Sequence, residues 1–296
     1  MRKLLLTAML LPLLVNRIID PVTERRYFES AQQTAHTASL VSIGTHRLDV
    51  LQAGTGSPPI VFEGGLGNAL DTWEHVWPSV AAFAPVVVYS RSGLGRSEPG
   101  LGGHTAHEGV EELRTLLATL QVKPPYVLVG ASYGGLLARL YTSLHPADVA
   151  GLVLVEGVHE EQVRRYGALD PTYPGAFRAS FEDQLLKLPA GAEVDEIRET
   201  IRIQAAGSVD GMKPLPDIPI AVLTSMKSDP KAAFVNGTPR GHEVWRAMHD
   251  EWFLRSSHGL HLQTSKSGHH IQDDEPQLVV DAIRFICSRL ASPPSH

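Results

Sequence analysis

The chain has 296 residues, of which 43% are hydrophobic and 20% charged, and its formal net charge is −6. This composition is ordinary for a globular protein, and the length allows one large core or two small ones. The acidic balance, without any basic cluster, argues against nucleic acid as a partner. The single cysteine, Cys287, excludes an internal disulfide framework and a cysteine-based zinc site. The scattered histidines lack the paired spacing of ligands, so no metal is predicted.

The first 38 residues are predicted to precede the folded domain. Arg2 and Lys3 are followed by an uncharged apolar stretch at 4–15, which is typical of an export signal and short for a membrane span. No small-residue cleavage site follows, so an uncleaved anchor and a cleaved signal both stay open, with an amphipathic cytoplasmic helix as the third interpretation. We expect an exported or membrane-anchored protein, or a cytoplasmic one if this segment is not a signal. The polar stretch to about Ala38 is interpreted as a tether.

Beyond residue 38, apolar runs alternate with helical patterns. Alternating apolar and polar residues around Gly44-Thr45 predict an antiparallel hairpin over 39–54. The later apolar runs show no alternation, which is typical of a parallel sheet covered on both faces. Strands are predicted within 57–65, 86–90, 126–129, 149–157, 217–225 and 260–269. Helical spacing predicts helices at 72–84, 107–122, after Ser132, and at 240–256 and 276–291.

The composition changes in one region only, near 157–216. Strand signals disappear there and charged residues become frequent, which predicts a helical cap at about 158–216. The predicted fold class is therefore α/β: a mostly parallel central sheet of about eight strands, an N-terminal antiparallel hairpin, helices on both faces and a helical cap insertion. The domain is expected to cover 39–291, with a short tail at 292–296. Active sites of such sheets lie at the carboxyl ends of the strands.

A strand–turn–helix signature centres on Ser132. The apolar run at 126–129 breaks into Gly130-x-Ser132-x-Gly134 and resumes as an apolar, helix-favouring run. This is the pattern of a nucleophile elbow, in which the serine occupies a strained turn and bulky neighbours two positions away would collide. The N–H groups that begin the helix would face a developing oxyanion. An ordinary strand–helix turn is the alternative.

A serine hydroxyl needs a base to remove its proton at neutral pH. His269 lies in SGHHIQDDEP, after the last predicted strand and before the helix that Pro276 opens, at the same sheet edge as Ser132. We therefore predict His269 as the base. The adjacent His270 is its main competitor, and a loop histidine without a role is the remaining interpretation.

Two carboxylates compete for the acid that would orient the histidine. Glu156 ends the strand GLVLVEG, one strand beyond the elbow, and Asp229 follows the strand IPIAVLT in a longer loop. Asp229 lies one residue later than the usual spacing, at which Ser228 stands. Glu156 could equally cap the segment that follows it. We favour Glu156 and keep Asp229 open, because either carboxylate could hold the imidazole tautomer and stabilise its charged form.

An oxyanion hole would use two backbone amides. One is that of Tyr133, directly after the proposed nucleophile, and the other lies in EGGLG at 63–67, where Leu66 is the first choice and Gly65 the second. The glycines allow this backbone to approach a substrate closely. A nucleotide-binding loop is the alternative, but the spacing is not GxGxxG and the chain contains no GK[ST]. No cofactor is implied.

Together these motifs resemble those of the α/β-hydrolase superfamily over roughly residues 39–291. The motifs are EGGLG followed by Trp73, YSRSGLGRSEP (89–99), GASYGG (130–135) and SGHHIQDDEP (267–276). Within it, LVLVEGVHEEQ (152–162) is similar to an esterase-type branch whose members often have an N-terminal anchor and a small helical cap. That branch often lacks a plain acid after the next strand, which favours Glu156. Two residues depart from the common pattern, Glu63 in place of histidine and Ser90 in place of aspartate, and both are interpreted as structural supports.

The resemblance implies a serine hydrolase that acts on a carboxylic ester or related acyl substrate through an acyl-enzyme. An amidase, lactonase or acyltransferase of the same fold is the alternative within catalysis. A non-catalytic ligand-binding member is the alternative from another class, although Ser132 and His269 are both present. The expected partner is a small acyl substrate, with membrane association through the N-terminal segment as a further option. The acyl and alcohol groups and the oligomeric state stay open.

Overall fold

The computed structural model describes residues 38–291, so the predicted signal or anchor and the C-terminal tail lie outside the described residues. One sheet forms the centre of the domain. Its strands are β1 (Ala38–Ser42), β2 (Arg47–Ala53), β3 (Ile60–Glu63), β4 (Val86–Tyr89), β5 (Tyr126–Ala131), β6 (Val149–Val155), β7 (Ile220–Ser225) and β8 (Gly259–Thr264). Their order across the sheet is β1-β2-β4-β3-β5-β6-β7-β8. Strand β2 runs antiparallel to β1 and β4, and the remaining pairs are parallel. The predicted fold class is confirmed.

Helices cover both faces of the sheet because its central strands are apolar on both sides. In β5, Leu128 packs into one hydrophobic core with the helices at Ala106–Thr119 and Tyr133–Leu144, while Val127 and Val129 pack into a second core with those at Trp77–Ala81 and Pro276–Ala291. The helices are α1 (Trp77–Ala81), α2 (Ala106–Thr119), α3 (Tyr133–Leu144), α4 (Gln162–Leu169), α5 (Tyr173–Leu185), α6 (Ala192–Ala206), α7 (Pro239–Phe253), α8 (Ile271–Asp274) and α9 (Pro276–Ala291). Across residues 38–291, none is long and apolar enough to span a bilayer.

The helical cap consists of α4, α5 and α6, which the chain inserts between β6 and β7. A third hydrophobic cluster joins the cap to α7 of the main domain. Aromatic rings dominate this cluster, with Tyr166 stacked on Trp245 at a centroid distance of 6.3 Å and Phe177 edge-on to Phe181 at 4.8 Å. Such pairs add to the stabilisation from burial alone. The cap is therefore packed onto the carboxyl edge of the sheet.

Two local predictions differ from the structure. The helix expected over 72–84 is a 3₁₀ turn at Leu70–Trp73 followed by the short helix α1. Pro78 lies in the first turn of α1, where the absence of its backbone N–H costs no helical hydrogen bond. In the interior of a helix over 72–84 the same proline would break a hydrogen bond. The strand expected to reach His269 ends at Thr264, because the next residues form a polar loop.

Candidate active site

Ser132 forms the sharp turn between β5 and α3. Its backbone has φ 52° and ψ −118°, a conformation that costs a non-glycine residue about 1–3 kcal/mol. Hydrogen bonds hold it there: the Ser132 amide donates to the Val155 carbonyl at 3.0 Å, and the Ser132 carbonyl accepts from the amides of Gly135 and Val158, each at 3.0 Å. The half-buried side chain of Ser132 therefore lies at the carboxyl end of the sheet, beside the turn that follows β6.

The glycines on either side of Ser132 are required by contact. A β-carbon on Gly130 would lie 2.4 Å from the Gly134 carbonyl oxygen, and one on Gly134 would lie 2.4 Å from that of Glu63. Real β-carbons do not approach backbone atoms so closely. Helix α3 can therefore begin directly against the residues that follow β3, which brings the EGGLG segment to Ser132.

Glu156 directly follows β6 and also has a positive φ, of 49°. Glu156 is buried, with 5% of the residue exposed, and its carboxylate accepts three hydrogen bonds from neutral donors. The Ser225 amide donates to Oε1 at 2.5 Å, and the Trp245 indole donates to Oε1 and Oε2 at 3.1 and 3.2 Å. These donors fix the direction of the carboxylate without placing a positive charge beside it.

His269 lies in the loop after β8, and its Nδ1 is 3.4 Å from Oε2 of Glu156. This is long for a hydrogen bond, as catalytic contacts often are before a substrate binds. Ser225 ties the two residues together, because its hydroxyl donates to the Ser267 carbonyl at 2.8 Å while its amide holds Glu156. The competing His270 is 55% exposed, with Nδ1 3.9 Å from Asp273.

Asp229, the alternative acid, is not brought to His269. Its residue is exposed, and Oδ1 accepts a hydrogen bond from the Lys231 amide at 2.8 Å. Its amide donates to the Gly237 carbonyl at 3.0 Å. Within residues 38–291, Glu156 is the carboxylate in contact with the His269 ring.

The residues proposed for an oxyanion hole lie on the opposite side of Ser132. Tyr133 is the first residue of α3, and a β-carbon on Gly65 would be 3.5 Å from the Ser132 β-carbon. In the part of the chain that the structure describes, the amides of Gly65, Leu66 and Tyr133 donate to no other protein atom. Unpaired backbone donors beside a nucleophile are the groups that can bind a developing oxyanion.

A cavity of about 80 Å³ opens beside Glu156 and His269. The cap contributes Gln162, Tyr166 and Tyr173 to its wall, and α7 contributes Trp245. Burial raises the pKa of Tyr166 well above its usual range, so its hydroxyl stays protonated at neutral pH. No group of three or more histidine, cysteine or carboxylate side chains that could hold a metal ion occurs among residues 38–291.

Sequence reasoning missed Ser225, Trp245, Arg91 and Glu196. Ser225 could have been found, since it ends β7, the strand beside β6, and Glu156 directly follows β6. Arg91 also carried a signal, because a charged residue two positions after the buried strand β4 needs a partner near the sheet edge. Trp245 and Glu196 carried none, because only the packing of α7 and the cap brings them here. Glu63 and Ser90 are both buried.

Comparisons with known proteins agree with this architecture. A family model described as alpha/beta hydrolase fold matches residues 58–225, more than half of the chain. Uncharacterized protein YqjL of Bacillus subtilis strain 168 is 26% identical over 230 residues, which cover 78% of this chain and 83% of YqjL.

Two solved structures illustrate the likeness. Est816, described as an N-acyl homoserine lactone degrading enzyme, superposes with a TM-score of 0.59 at 18% identity, over 83% of this chain and 99% of its own. A thermophilic esterase from Thermogutta terrifontis superposes with a TM-score of 0.56 at 20% identity, over 86% and 98%. Identities this low establish the shared fold alone. From the family match and this architecture, the chain belongs to the α/β-hydrolase fold family and has the fold of a hydrolase.

Proposed function

We propose that the protein is a serine hydrolase that cleaves a carboxylic ester, or a related acyl substrate, through an acyl-enzyme. The observation that carries the proposal is the contact between His269 and Glu156 at the sheet edge where the strained Ser132 turn lies. A serine, a histidine and an acid in chain order Ser–acid–His is the order that this fold uses.

In this mechanism Ser132 Oγ attacks the acyl carbon while His269 takes the hydroxyl proton. The carbonyl oxygen becomes an oxyanion, which the amides of Tyr133 and of Leu66 or Gly65 stabilise. His269 then gives its proton to the departing alcohol. Water then attacks the acyl-enzyme while His269 takes one of its protons. The bond between the acyl carbon and Ser132 Oγ breaks, His269 returns the proton to Oγ, and the acid is released. Glu156 holds the His269 tautomer and stabilises its charged form throughout.

The proposed function is tested with nitrophenyl esters from acetyl to decanoyl. The wild type should turn over at least one of them. Ser132→Ala should lower kcat by roughly a million-fold. Ser79→Ala, on the exposed surface of α1, is the matched control and should behave as wild type. No turnover of any ester would contradict the proposal.

The same panel separates the alternatives within the fold. The lactone-degrading activity of Est816 makes lactones the second substrate class to assay, beside nitroanilides for an amidase and an added alcohol acceptor for an acyltransferase. A chain that binds acyl compounds but turns none of them over would be a binding protein. The N-terminal apolar stretch at 4–15 further leads us to propose export or membrane anchoring, which fractionation of cells expressing the full chain would test.

A further inference from the structure

A buried charged cluster lies behind the segment 63–67, which we call the oxyanion loop. Its members are Arg91, Glu63 and Glu196, which are 4%, 2% and 2% exposed. The proposed reaction uses none of these side chains directly. Burying a charge is expensive unless it is paired and fully hydrogen-bonded, so the cluster needs a physical reason to exist at this position.

The guanidinium of Arg91 uses all five of its N–H donors. Nη1 donates to Oε1 of Glu63 at 2.6 Å and to the Gly64 carbonyl at 2.7 Å. Nη2 donates to the Gly65 carbonyl at 2.6 Å and to Oε2 of Glu196 at 2.9 Å, and Nε donates to Oε1 of Glu196 at 2.6 Å. Three of the five bonds therefore hold the oxyanion loop, and two hold the cap helix α6.

The two loop carbonyls determine where the neighbouring amides point. In a trans peptide the C=O of one residue and the N–H of the next point in opposite directions. The peptide bonds from Gly64 to Leu66 are trans. With the Gly64 and Gly65 oxygens turned toward Arg91, the amides of Gly65 and Leu66 are turned away from it. Gly65 itself lies against Ser132.

We propose that Arg91 is the positioning residue of the oxyanion hole: by binding the Gly64 and Gly65 carbonyls it aims the Gly65 and Leu66 amides. Glu196 of the cap binds the other side of the guanidinium, and its Oε2 also accepts a hydrogen bond from the Gly67 amide at 2.8 Å. The inference rests on the proposed function. It also makes the cap part of the catalytic framework, since Glu196 belongs to α6.

The electrostatics of the cluster suit a fixed clamp. Burial alone would lower the pKa of Arg91, but the charges of Glu196 and Glu63 outweigh it and hold that pKa well above its usual range. Arg91 is therefore charged at neutral pH. A lysine would keep the charge, but its three donors on a single nitrogen cannot reach two carbonyls and two carboxylates in the same plane.

The first test compares Arg91→Lys with wild type on the best nitrophenyl ester. Because a displaced donor costs roughly a hundredfold in rate, kcat should fall about a hundredfold with KM changed less than about threefold. Arg96→Lys is the matched control, since Arg96 lies in the same loop but pairs with Asp49 at 2.6 and 2.9 Å; its kcat should stay near wild type. Thermal unfolding of both variants separates a local effect from lost stability.

The second test is chemical rescue. A cavity of about 360 Å³ is lined by Arg91, Glu196 and Tyr133, so a free guanidinium ion can reach the position that Arg91→Ala vacates. Guanidinium below denaturing concentration should restore kcat in Arg91→Ala in a saturable manner, and should leave Ser132→Ala inactive. A merely structural role would not give saturable recovery of kcat at constant KM. If Arg91→Ala does not fold, the Arg91→Lys comparison decides.

The outcomes distinguish this inference from the function on which it rests. A wild type inert toward every acyl substrate would overturn the proposed function and this inference with it. An active wild type with an Arg91→Lys variant of equal kcat would overturn the positioning role alone. The positioning role would also be overturned if guanidinium did not restore the kcat of Arg91→Ala and the control Arg96→Lys lost as much kcat as Arg91→Lys.

Discussion

The two sides of Ser132 are built from different kinds of groups. On one side, His269 and Glu156 lie among neutral donors, the Ser225 amide and the Trp245 indole, and the imidazole is 15% exposed. On the other side, the oxyanion loop is held by the buried cation Arg91 between two carboxylates. The carboxylate on the relay side is thus held by neutral donors, whereas the oxyanion loop is held by a buried cation and two carboxylates.

This difference matches what each side would do in the proposed reaction. His269 must gain and lose a proton in every cycle, so a fixed cation beside it would oppose its charged form. The oxyanion amides must stay still while charge develops, and preorganised donors cost no reorganisation at that moment. Substitutions on the two sides of Ser132 test this difference, because each should impair a different part of the proposed reaction.

The largest effect is expected at the acid. Glu156→Gln leaves the shape of the site but cannot stabilise a charged imidazole, so kcat should fall by about ten-thousandfold. Asp229→Asn should leave kcat within about threefold of wild type, because Asp229 is exposed and bonded to the Lys231 amide. Steady-state kinetics on one ester measure both. If Asp229→Asn alone abolishes turnover, Asp229 is the acid and the relay side must rearrange in solution.

Acid pH should destabilise the folded protein through a buried histidine near Glu156. His159, two residues after the turn at Glu156 and Gly157, is 3% exposed, and its Nδ1 accepts the Glu161 amide at 3.1 Å. Burial, then the charge of Arg139, lowers the pKa of His159 to about 4 despite the nearby Glu160 and Glu251. In the unfolded chain the pKa of His159 is about 6.5. Between about pH 6.5 and about pH 4 only the unfolded chain therefore binds the proton, so the free energy of unfolding falls as the pH falls.

The expected loss through His159 is about 2 kcal/mol at pH 5, levelling off below about pH 4. Urea unfolding at pH 7.5 and 5 measures it. In His159→Gln the free energy of unfolding should fall by correspondingly less between the two pH values. The pH dependence due to the fully buried His249 should remain, because burial lowers its pKa as well. Equal pH dependence in the variant and wild type would show that His159 does not contribute.

A smaller effect is expected at the indole that holds the acid. Trp245→Phe keeps a ring against Tyr166 but removes the donor to Glu156, so kcat should fall about tenfold, the equivalent of about 1.4 kcal/mol. Trp77→Phe is the matched control, because the buried Trp77 N–H has no partner among residues 38–291. A Trp245→Phe variant with the kcat of this control would mean that Ser225 alone orients Glu156.

The fold and the sharp turn at Ser132 could be predicted because their signals are local. The unalternating apolar strands required a sheet covered on both faces, and the glycines around Ser132 followed from the space in one turn. The structure confirms the fold class. The acid could not be decided from sequence, because Glu156 and Asp229 follow neighbouring parallel strands whose carboxyl ends share one edge. The structure distinguishes them by their contacts, because Glu156 lies against His269 while Asp229 accepts from the Lys231 amide.

The oxyanion side was less predictable for a different reason. The EGGLG segment and Tyr133 are recognisable, but the groups that hold the loop come from distant parts of the chain. Glu196 is 105 residues from Arg91 and is one of several glutamates in a charged cap helix. Nothing local marks it as buried. The roles of Ser132, His269 and Glu156 in catalysis stay predictions until a reaction is measured.

The most direct measurement of the central claim is covalent labelling by a fluorophosphonate probe, followed by mass mapping of the modified peptide. The probe reacts with a serine only where a base activates it and an oxyanion hole accepts the phosphoryl oxygen. We predict one label per wild-type chain, located on Ser132, and none on Ser132→Ala. A wild type that is not labelled, or a label that persists unchanged in Ser132→Ala, would contradict the assignment of Ser132 as the nucleophile.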